Sequence, residues 1–183
     1  GNVVGSAKVI FDANPIGSSC AKVCPVEVLC EGACVEKTLV KKPIEIGRLQ
    51  RFATEHTLQS GKKLFEKGES NGKSIGIIGS GPAGLSCATY LARLGYAITV
   101  YEKRSLAGGL DTYGMAEYKM TQAQSLAEVN QVEQLGVEFK LNSEVNNLDE
   151  LTLKHDKVFL AVGLGKTNQL IIAGEDKEGV IDA

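Results

Sequence analysis

The sequence lacks several features that would assign it at once to a class of function. It has no excess of either charge, because 20 basic and 22 acidic side chains give a formal net charge of −2. It therefore carries no electrostatic footprint for nucleic acid or an anionic membrane. Its longest apolar runs, such as Val158–Val162, are too short to span a bilayer. Residues 1–5 contain neither a basic nor an apolar stretch, so we expect no signal peptide and a cytoplasmic location.

Histidine is also scarce. The two histidines, His56 and His155, lie in polar surroundings far from the cysteines, and both are expected to be solvated surface residues. Four of the five cysteines fall within 15 positions, namely Cys20, Cys24, Cys30 and Cys34. Soft thiolates without nearby histidine favour an iron–sulfur cluster over a hard cation. The Cys24-Pro25 step is typical of iron–sulfur ligand runs, which strengthens that interpretation.

Other interpretations of the cysteines stay open. Disulfides are disfavoured by the odd number of cysteines and by the absence of a secretion signal. A structural zinc in a non-enzymatic interaction module, or a set of small buried side chains, is also compatible with the spacing. Cys30 and Cys34 are four residues apart, which predicts that their thiols share one face of a helix. Cys87 lies within an apolar helical pattern and is expected to pack in the core.

Residues 1–65 have the pattern of a small Cys-rich domain of short helices. Asn14 precedes a proline, which predicts the end of a first helix. Ser18 or Ser19 is expected to cap a turn that carries two of the cysteines. A longer helix is predicted to start near Pro43 and to end before Gly61. Its predicted apolar stripe is Ile46, Leu49, Phe52 and Ala53.

Residues 66–73 are polar and contain two glycines, which predicts a linker. Strands and helices then alternate over residues 74–183. This alternation predicts an α/β fold with a parallel sheet of the Rossmann type, joined by right-handed crossovers. The expected strands are Ser74–Ile78, Ile98–Tyr101, Val137–Leu141 and Lys157–Val162, and the expected helices are Pro82–Leu94 and Thr121–Leu135.

A glycine-rich motif follows the first of these strands directly and opens a helix. Gly79 permits the tight turn, Gly81 lets a pyrophosphate approach the backbone, and Gly84 lets the helix pack close to the strand. The N–H groups and the positive end of the helix dipole then face the phosphates. The residues expected at the pyrophosphate are Gly79, Ser80, Gly81, Pro82, Ala83 and Gly84.

An acidic residue stands where this motif requires one. Glu102 ends the second predicted strand, 18 residues past Gly84. Its carboxylate can accept both hydroxyls of an adenosine ribose and would repel a 2′-phosphate, so FAD or NAD fits and NADP is disfavoured. An ordinary NAD-binding dehydrogenase domain therefore stays open as an alternative to a flavin-binding domain.

Seven segments occur in a specific order, namely Cys20–Pro25, Cys30–Cys34, Pro43–Thr54, Gly79–Gly84, Tyr101–Lys103, Gly108–Leu110 and Phe159–Gly163. Together they resemble the electron-input module of dihydropyrimidine dehydrogenase and the small subunit of NADPH-dependent glutamate synthase. The resemblance covers nearly the whole chain. It implies an NAD(P)H-dependent oxidoreductase in which electrons pass from NAD(P)H to FAD, then through [4Fe–4S] clusters to a substrate-converting large subunit or domain.

Site residues follow from the resemblance by position. The implied further flavin contacts are Gly109, Leu110, Lys119 and Val145, and the implied cluster ligands are Cys24, Cys30, Cys34 and Gln50. Cys20 matches a position that is often not a ligand. Lys119 departs from the family, which tends to have arginine there. The ammonium group of lysine is a point charge and cannot make the bidentate contact of a planar guanidinium.

The resemblance also implies that this chain is a piece of a longer polypeptide. The family's other cluster cysteines lie upstream, and three cysteines with one amide do not complete two clusters. A nicotinamide-binding domain is expected after the C-terminus, and residues 170–183 contain no second glycine loop. We therefore expect an incomplete FAD domain that is inactive alone. Residues outside the chain select the final acceptor, so both family branches stay open.

Overall fold

The computed structural model describes residues 1–39, 41–165, 172–174 and 177–178. Most of the segment 170–183, in which no second glycine loop is expected, lies outside the described residues. Among the helices of the described ranges, none has the length and apolar character needed to cross a membrane. The helices before the sheet are α1 Val3–Ala13, α2 Gly17–Val23, α3 Glu36–Leu39 and α4 Ile46–Gln59.

Helices α1 and α4 pack against each other around a small core of Ala7, Phe11 and Ala53. Helix α1 ends at Ala13, and Asn14 is its C-cap in an extended conformation, as the following proline predicts. Helix α2 begins at Gly17 after Ile16, which offers no side-chain cap. The prediction that a serine caps this helix is therefore wrong.

The apolar stripe predicted on α4 is buried only at Ala53, and its two largest middle residues face solvent. Leu49 and Phe52 are 61% and 64% exposed, and the buried residues of the helix are Gly47, Ala53, Thr54 and Thr57. Small residues let α4 approach α1 and α2 closely. The hydroxyls of Thr54 and Thr57 donate to backbone carbonyls of their own helix, at 2.9 Å from Gln50 and Ala53 respectively, so their burial leaves no hydrogen-bond donor unsatisfied.

Cys30 and Cys34 do not share a helix. The chain turns repeatedly between residues 26 and 33, and Cys34 follows these turns without regular structure. Both Glu31 and Gly32 donate their backbone N–H to the carbonyl of Val26, which folds the segment back on itself. A side chain at position 32 would meet the carbonyl oxygen of Glu27 at 2.5 Å, so glycine permits this tight turn.

A parallel sheet forms the second half of the chain. Its strands run in the order β3-β2-β1-β4, and every pair is parallel. The predicted α/β class, a Rossmann-like sheet preceded by a small Cys-rich helical part, is confirmed. The strands are β1 Ser74–Ile78, β2 Ala97–Tyr101, β3 Glu138–Lys140 and β4 Lys157–Leu160, and the helices are α5 Pro82–Arg93, α6 Leu110–Tyr113, α7 Gln122–Glu133 and α8 Leu148–Lys154.

Helix α7 begins as predicted, with a capping box between Thr121 and Gln124. Cys87 packs against the core of the sheet, also as predicted. In the segment 66–73, Gly68 donates its backbone N–H to Ala92 of helix α5, and Asn71 donates to Gly95 just after that helix, each at 3.1 Å. The domain limits at residues 65 and 74 stay a prediction.

His155 is not a solvated surface residue. Its Nε2 lies 3.0 Å from the hydroxyl of Tyr101, and its ring covers Gly76, where an added Cβ would meet the imidazole at 2.7 Å. Burial lowers the pKa of His155, with Lys140 adding repulsion. The polar sequence around His155 gives no sign of this contact, because Tyr101 and Gly76 come from strands β2 and β1, which are distant in the sequence.

The turn between β1 and α5 is set by two glycines. Gly79 has φ +99°, in the region that favours glycine. A Cβ at position 84 would stand only 2.0 Å from the carbonyl oxygen of Gly79. The helix can therefore begin this close to the strand only with glycine at position 84.

We expect Gly84→Ala to lower the free energy of unfolding by about 1–3 kcal/mol, because the new methyl group clashes with backbone. Gly81→Ala is the matched control, since a Cβ there meets only the Cα of Gly109, at 3.9 Å. That control should cost less than about 1 kcal/mol. Urea unfolding measures both values, and equal losses would contradict this account of the turn.

Candidate functional site

The carboxyl ends of β1 and β2 bring the glycine loop and Glu102 together. The Glu102 carboxylate accepts hydrogen bonds from the backbone N–H of Ser80 at 3.1 Å and from its hydroxyl at 2.6 Å. It also accepts the N–H of Arg104 at 2.9 Å. Glu102 is 7% exposed. The acid thus faces the glycine loop, which is the orientation that ribose binding beside a pyrophosphate requires.

The turn at Gly108 and Gly109 closes over the same loop. Gly108 donates its N–H to the Ser80 carbonyl at 3.1 Å. Gly109 has φ +59°, and a Cβ there would meet the Cα of Gly81 at 2.7 Å. Leu110 follows at the start of α6 and is exposed. Two backbone segments thus approach each other closely, and glycine at both positions keeps side chains out of the contact.

These residues fit a dinucleotide. The first-turn N–H groups of α5 have no acceptor within the helix, and Gly81 adds no side chain in front of them. An added Cβ at Gly81 would find almost open space, so the loop forms a cradle that a side chain would fill. A phosphate group is stabilised by such N–H groups and by the helix dipole.

Two other predicted flavin contacts, Val145 and Lys119, lie in different parts of the sheet half. Val145 is half-buried in the segment after β3. Ser143, two residues earlier, donates its N–H to the Glu102 carbonyl at 2.8 Å, so this segment adjoins the acid. Lys119 is exposed and lies before α7, on the side of the Cys-rich helices. The roles of both residues stay predictions.

Cys20 lies next to Cys24 and Gln50 in the helical half. The thiol of Cys20 contacts the thiol of Cys24 and the amide of Gln50, and Cys30 is near enough to add charge repulsion. Burial and these neighbouring thiols raise the pKa of Cys20. Gln50 also donates to the carbonyl of Gly17 at 2.7 Å. Cys20 is not among the ligands predicted from the sequence, although its spacing four residues before Cys24 on a helix was a signal for the contact.

Cys34 lies apart from this group. Its sulfur accepts the backbone N–H of Ile44 at 3.5 Å. Within the described ranges, no three Cys, His, Asp or Glu side chains are arranged to hold a metal ion. The donor types fit a soft iron–sulfur centre, and the roles of Cys24, Cys30, Cys34 and Gln50 as cluster ligands stay predictions.

One cleft of the helical half is also bordered by Lys119, which precedes α7. It has a volume of about 400 Å³, and both Cys24 and Lys119 line it. Arg48 and Arg51 of α4 and Lys22 of α2 line it as well, together with Glu27 and Glu31. A predicted cluster ligand and a predicted flavin contact therefore face the same space.

A buried acid that the sequence analysis missed joins these halves. Glu128 of α7 is 2% exposed. Its carboxylate accepts the N–H of Ser18 at 2.7 Å, the N–H of Ser19 at 3.2 Å, and the Ser19 hydroxyl. Burial raises the pKa of Glu128 to about 7, with a smaller contribution from Asp111. A signal existed, since Glu128 lies on the helical stripe with Ser125, Val129 and Val132, all buried.

The family comparisons agree with both halves. Residues 1–62 match the family model of dihydropyrimidine dehydrogenase domain II, 4Fe-4S cluster, and residues 77–116 match an NAD(P)-binding Rossmann-like domain. The NAD-dependent dihydropyrimidine dehydrogenase subunit PreT of Escherichia coli (strain K12) is 37% identical over 185 residues, covering 99% of this chain and 45% of that protein. The glutamate synthase (NADPH) small chain of the same organism is 33% identical over 189 residues, covering 100% of this chain and 39% of that protein. The chain is a homologue of these oxidoreductase subunits.

The resemblance found in the sequence is thereby confirmed. This homologue of the dehydrogenase and synthase subunits spans less than half the length of the curated relatives it matches. A solved structure of 2-naphthoyl-CoA reductase in complex with 2-naphthoyl-CoA is similar with a TM-score of 0.52 and 21% identity, covering 88% of this chain and 26% of that one. That likeness supports the fold alone.

The burial of the thiols predicts an order of reactivity. Cys30 is exposed, whereas burial raises the pKa of both Cys20 and Cys87. Because the thiolate is the nucleophile, Cys30 should be alkylated by iodoacetamide faster than either of them at neutral pH. Mass spectrometry of peptides from a timed reaction measures this order. Alkylation of Cys20 at the rate of Cys30 would contradict the arrangement of the cysteine group.

Proposed function

We propose that the chain is part of an NAD(P)H-dependent oxidoreductase that passes electrons through FAD and [4Fe–4S] clusters to a partner subunit or domain. The observation that carries the proposal is the shared cleft, which Cys24 lines from the helical half and Lys119 from the sheet half. Electron transfer needs a flavin and a metal centre close together. Lys119 is the lining residue that comes from the sheet half, so the cleft puts a predicted flavin contact beside the cysteine-bearing helices.

On the sheet side, the chain's residues would bind and orient the dinucleotide. The first turn of α5 would hold the pyrophosphate with backbone N–H groups, and Glu102 would accept the ribose hydroxyls. Gly109 would let the backbone approach the cofactor closely. The flavin supplies hydride and single-electron chemistry when bound, and the protein supplies position and electrostatics. The proposed FAD contacts are Gly79, Ser80, Gly81, Pro82, Ala83, Gly84, Glu102, Gly109, Leu110, Lys119 and Val145.

On the helical side, thiolates would hold iron. The proposed ligands are Cys24, Cys30, Cys34 and Gln50. Gln50 is supported by its amide contact with the thiol of Cys20, which keeps the amide beside the cysteine group. The basic side chains of Arg48 and Arg51 line the same cleft and would favour the negative charge of thiolate ligands.

A partner subunit or domain is also part of the proposal. Its support is that six apolar side chains of the Cys-rich half are exposed, and a partner that covers them would remove apolar surface from water. The two similar Escherichia coli proteins are named as a subunit and a small chain. The exposed side chains are Val28, Val35, Leu39, Ile44, Leu49 and Phe52.

Cofactor titration of the chain tests the proposal. FAD should bind with quenched flavin fluorescence and more tightly than NAD, and NADP should bind most weakly. Tighter binding of NAD than of FAD would instead indicate an ordinary dehydrogenase domain. Metal analysis after anaerobic incubation with iron and sulfide gives a second test. One zinc per chain without iron or sulfide would contradict the electron-transfer proposal.

We expect Glu102→Gln to weaken FAD binding by about 10–100-fold, because a charge-assisted hydrogen bond contributes about 1.5–3 kcal/mol. The glutamine keeps the volume of the side chain and an acceptor for Ser80. Glu138→Gln, at the exposed start of β3, is the matched control and should leave the affinity unchanged. Fluorescence titration measures both variants. Wild-type affinity in Glu102→Gln would remove the assigned role of this acid.

A further inference from the structure

Helix α2 carries Cys20 and has Cys24 as its C-cap, yet no side chain of its own caps its N-terminus. It has seven residues, and its N-cap Ile16 has no side chain able to accept a hydrogen bond. A helix this short is marginal without tertiary support, and its first N–H groups need acceptors. Something outside the helix must therefore hold it in place.

Glu128 supplies that support from the other half of the molecule. It lies 109 and 110 positions away from Ser19 and Ser18, and its two oxygens accept hydrogen bonds from both backbone N–H groups. When the Glu128 carboxylate is ionised, its negative charge also faces the positive end of the α2 dipole. No other acidic side chain in the described part of the chain bonds to these two N–H groups.

We propose that Glu128 is a positioning residue that docks the Cys-bearing helix α2 on helix α7 and thereby fixes the thiols of Cys20 and Cys24 relative to the dinucleotide-binding loop. Gln50 completes the arrangement, since it donates to the Gly17 carbonyl and contacts the Cys20 thiol. The docking stands on this geometry alone. Only its consequence, the spacing between flavin and metal centre, rests on the proposed function.

The charged groups around Glu128 determine how this docking responds to pH. Asp111 of α6 is buried and repels the carboxylate. Lys22 of α2 donates to the Ser18 hydroxyl at 2.8 Å and pairs with Glu55 of α4 at 3.1 Å, so its charge is already compensated. Arg93, the charged residue of α5, pairs with Asp12 of α1. No cation is therefore placed to neutralise Glu128 directly among the described residues.

The direction of the pH effect follows from the raised pKa. The pKa of Glu128 rises from 4.5 to about 7 in the folded chain because the group is buried. The docked form thus retains a proton that the undocked form releases. Docking should be strongest below pH 4.5 and weaken as the pH rises, until it levels off above about pH 7. Between these values the docking equilibrium constant should fall by at most about tenfold per pH unit.

Hydrogen exchange of the chain without cofactor or iron tests the role of Glu128. Glu128→Ala should raise exchange in the α2 peptide and alkylation of Cys20 by about tenfold, the effect of losing one hydrogen bond to a charged group. Glu128→Gln, which keeps a carbonyl acceptor, should restore most of the protection. Glu133→Ala, on the exposed side of the same helix, and the thiol of Cys87 are the controls and should not change.

The pH profile separates positioning from a general loss of stability. At each pH, the exchange rate of the α2 peptide in the wild type is divided by the rate in Glu128→Gln. From pH 5 to pH 7 this ratio should rise about tenfold or more. Parallel profiles, or wild-type exchange in Glu128→Ala, would overturn the proposal. Loss of protection in β1 as well would show that Glu128→Ala destabilises the whole fold. The pH profiles of the wild type and Glu128→Gln then decide whether Glu128 positions α2. Failure to bind FAD would affect only the proposed function, because these measurements contain no cofactor.

Discussion

The close contact between the end of β1 and the start of α5 is the constraint on which the candidate site depends. The carbonyl of Gly79 occupies the space that a side chain at position 84 would need. As a result, the N-terminus of α5 points into the crevice at the carboxyl ends of the strands. The strand order puts β2 and β4 on opposite sides of β1, and open α/β sheets bind ligands at such a switch point. Glu102, at the tip of β2, then faces the loop without any further adjustment.

The second constraint is that buried acids and ion pairs join the helical half to the sheet half. Glu128 satisfies the start of α2, and Asp12 of α1 accepts from Arg93 of α5 at 2.6 Å. Both links join residues far apart in sequence. The Cys-rich half therefore has a fixed position on the sheet half even though its own core is small. This is the arrangement that a shared cleft between a thiol group and a nucleotide-binding domain requires.

Local patterns predicted most of the fold. The strands, the glycine turn and the capping box at Thr121 depend on neighbouring residues, so a sequence carries their signals directly. The exposed face of α4 was predicted wrongly because Leu49 and Phe52 fit a helical stripe, while the true packing face uses small residues and threonines. The contact of His155 with Tyr101 was missed for a related reason, since strand register brings them together. Hydrophobic periodicity shows which face of a helix is apolar. It does not show which face packs against a neighbouring helix when that contact uses small residues.

The start of α2 shows what such patterns leave out. Two serines at the beginning of a short helix predict a local cap, yet their N–H groups bond to an acid more than a hundred residues away. The sequence contains both halves of this contact: a helix without a capping residue at Ile16, and an acid on the buried stripe of α7. A buried acid must find donors, and an uncapped helix must find an acceptor. Because helix and acid belong to different halves of the chain, the position of α2 depends on the sheet half as well as on its packing against α4.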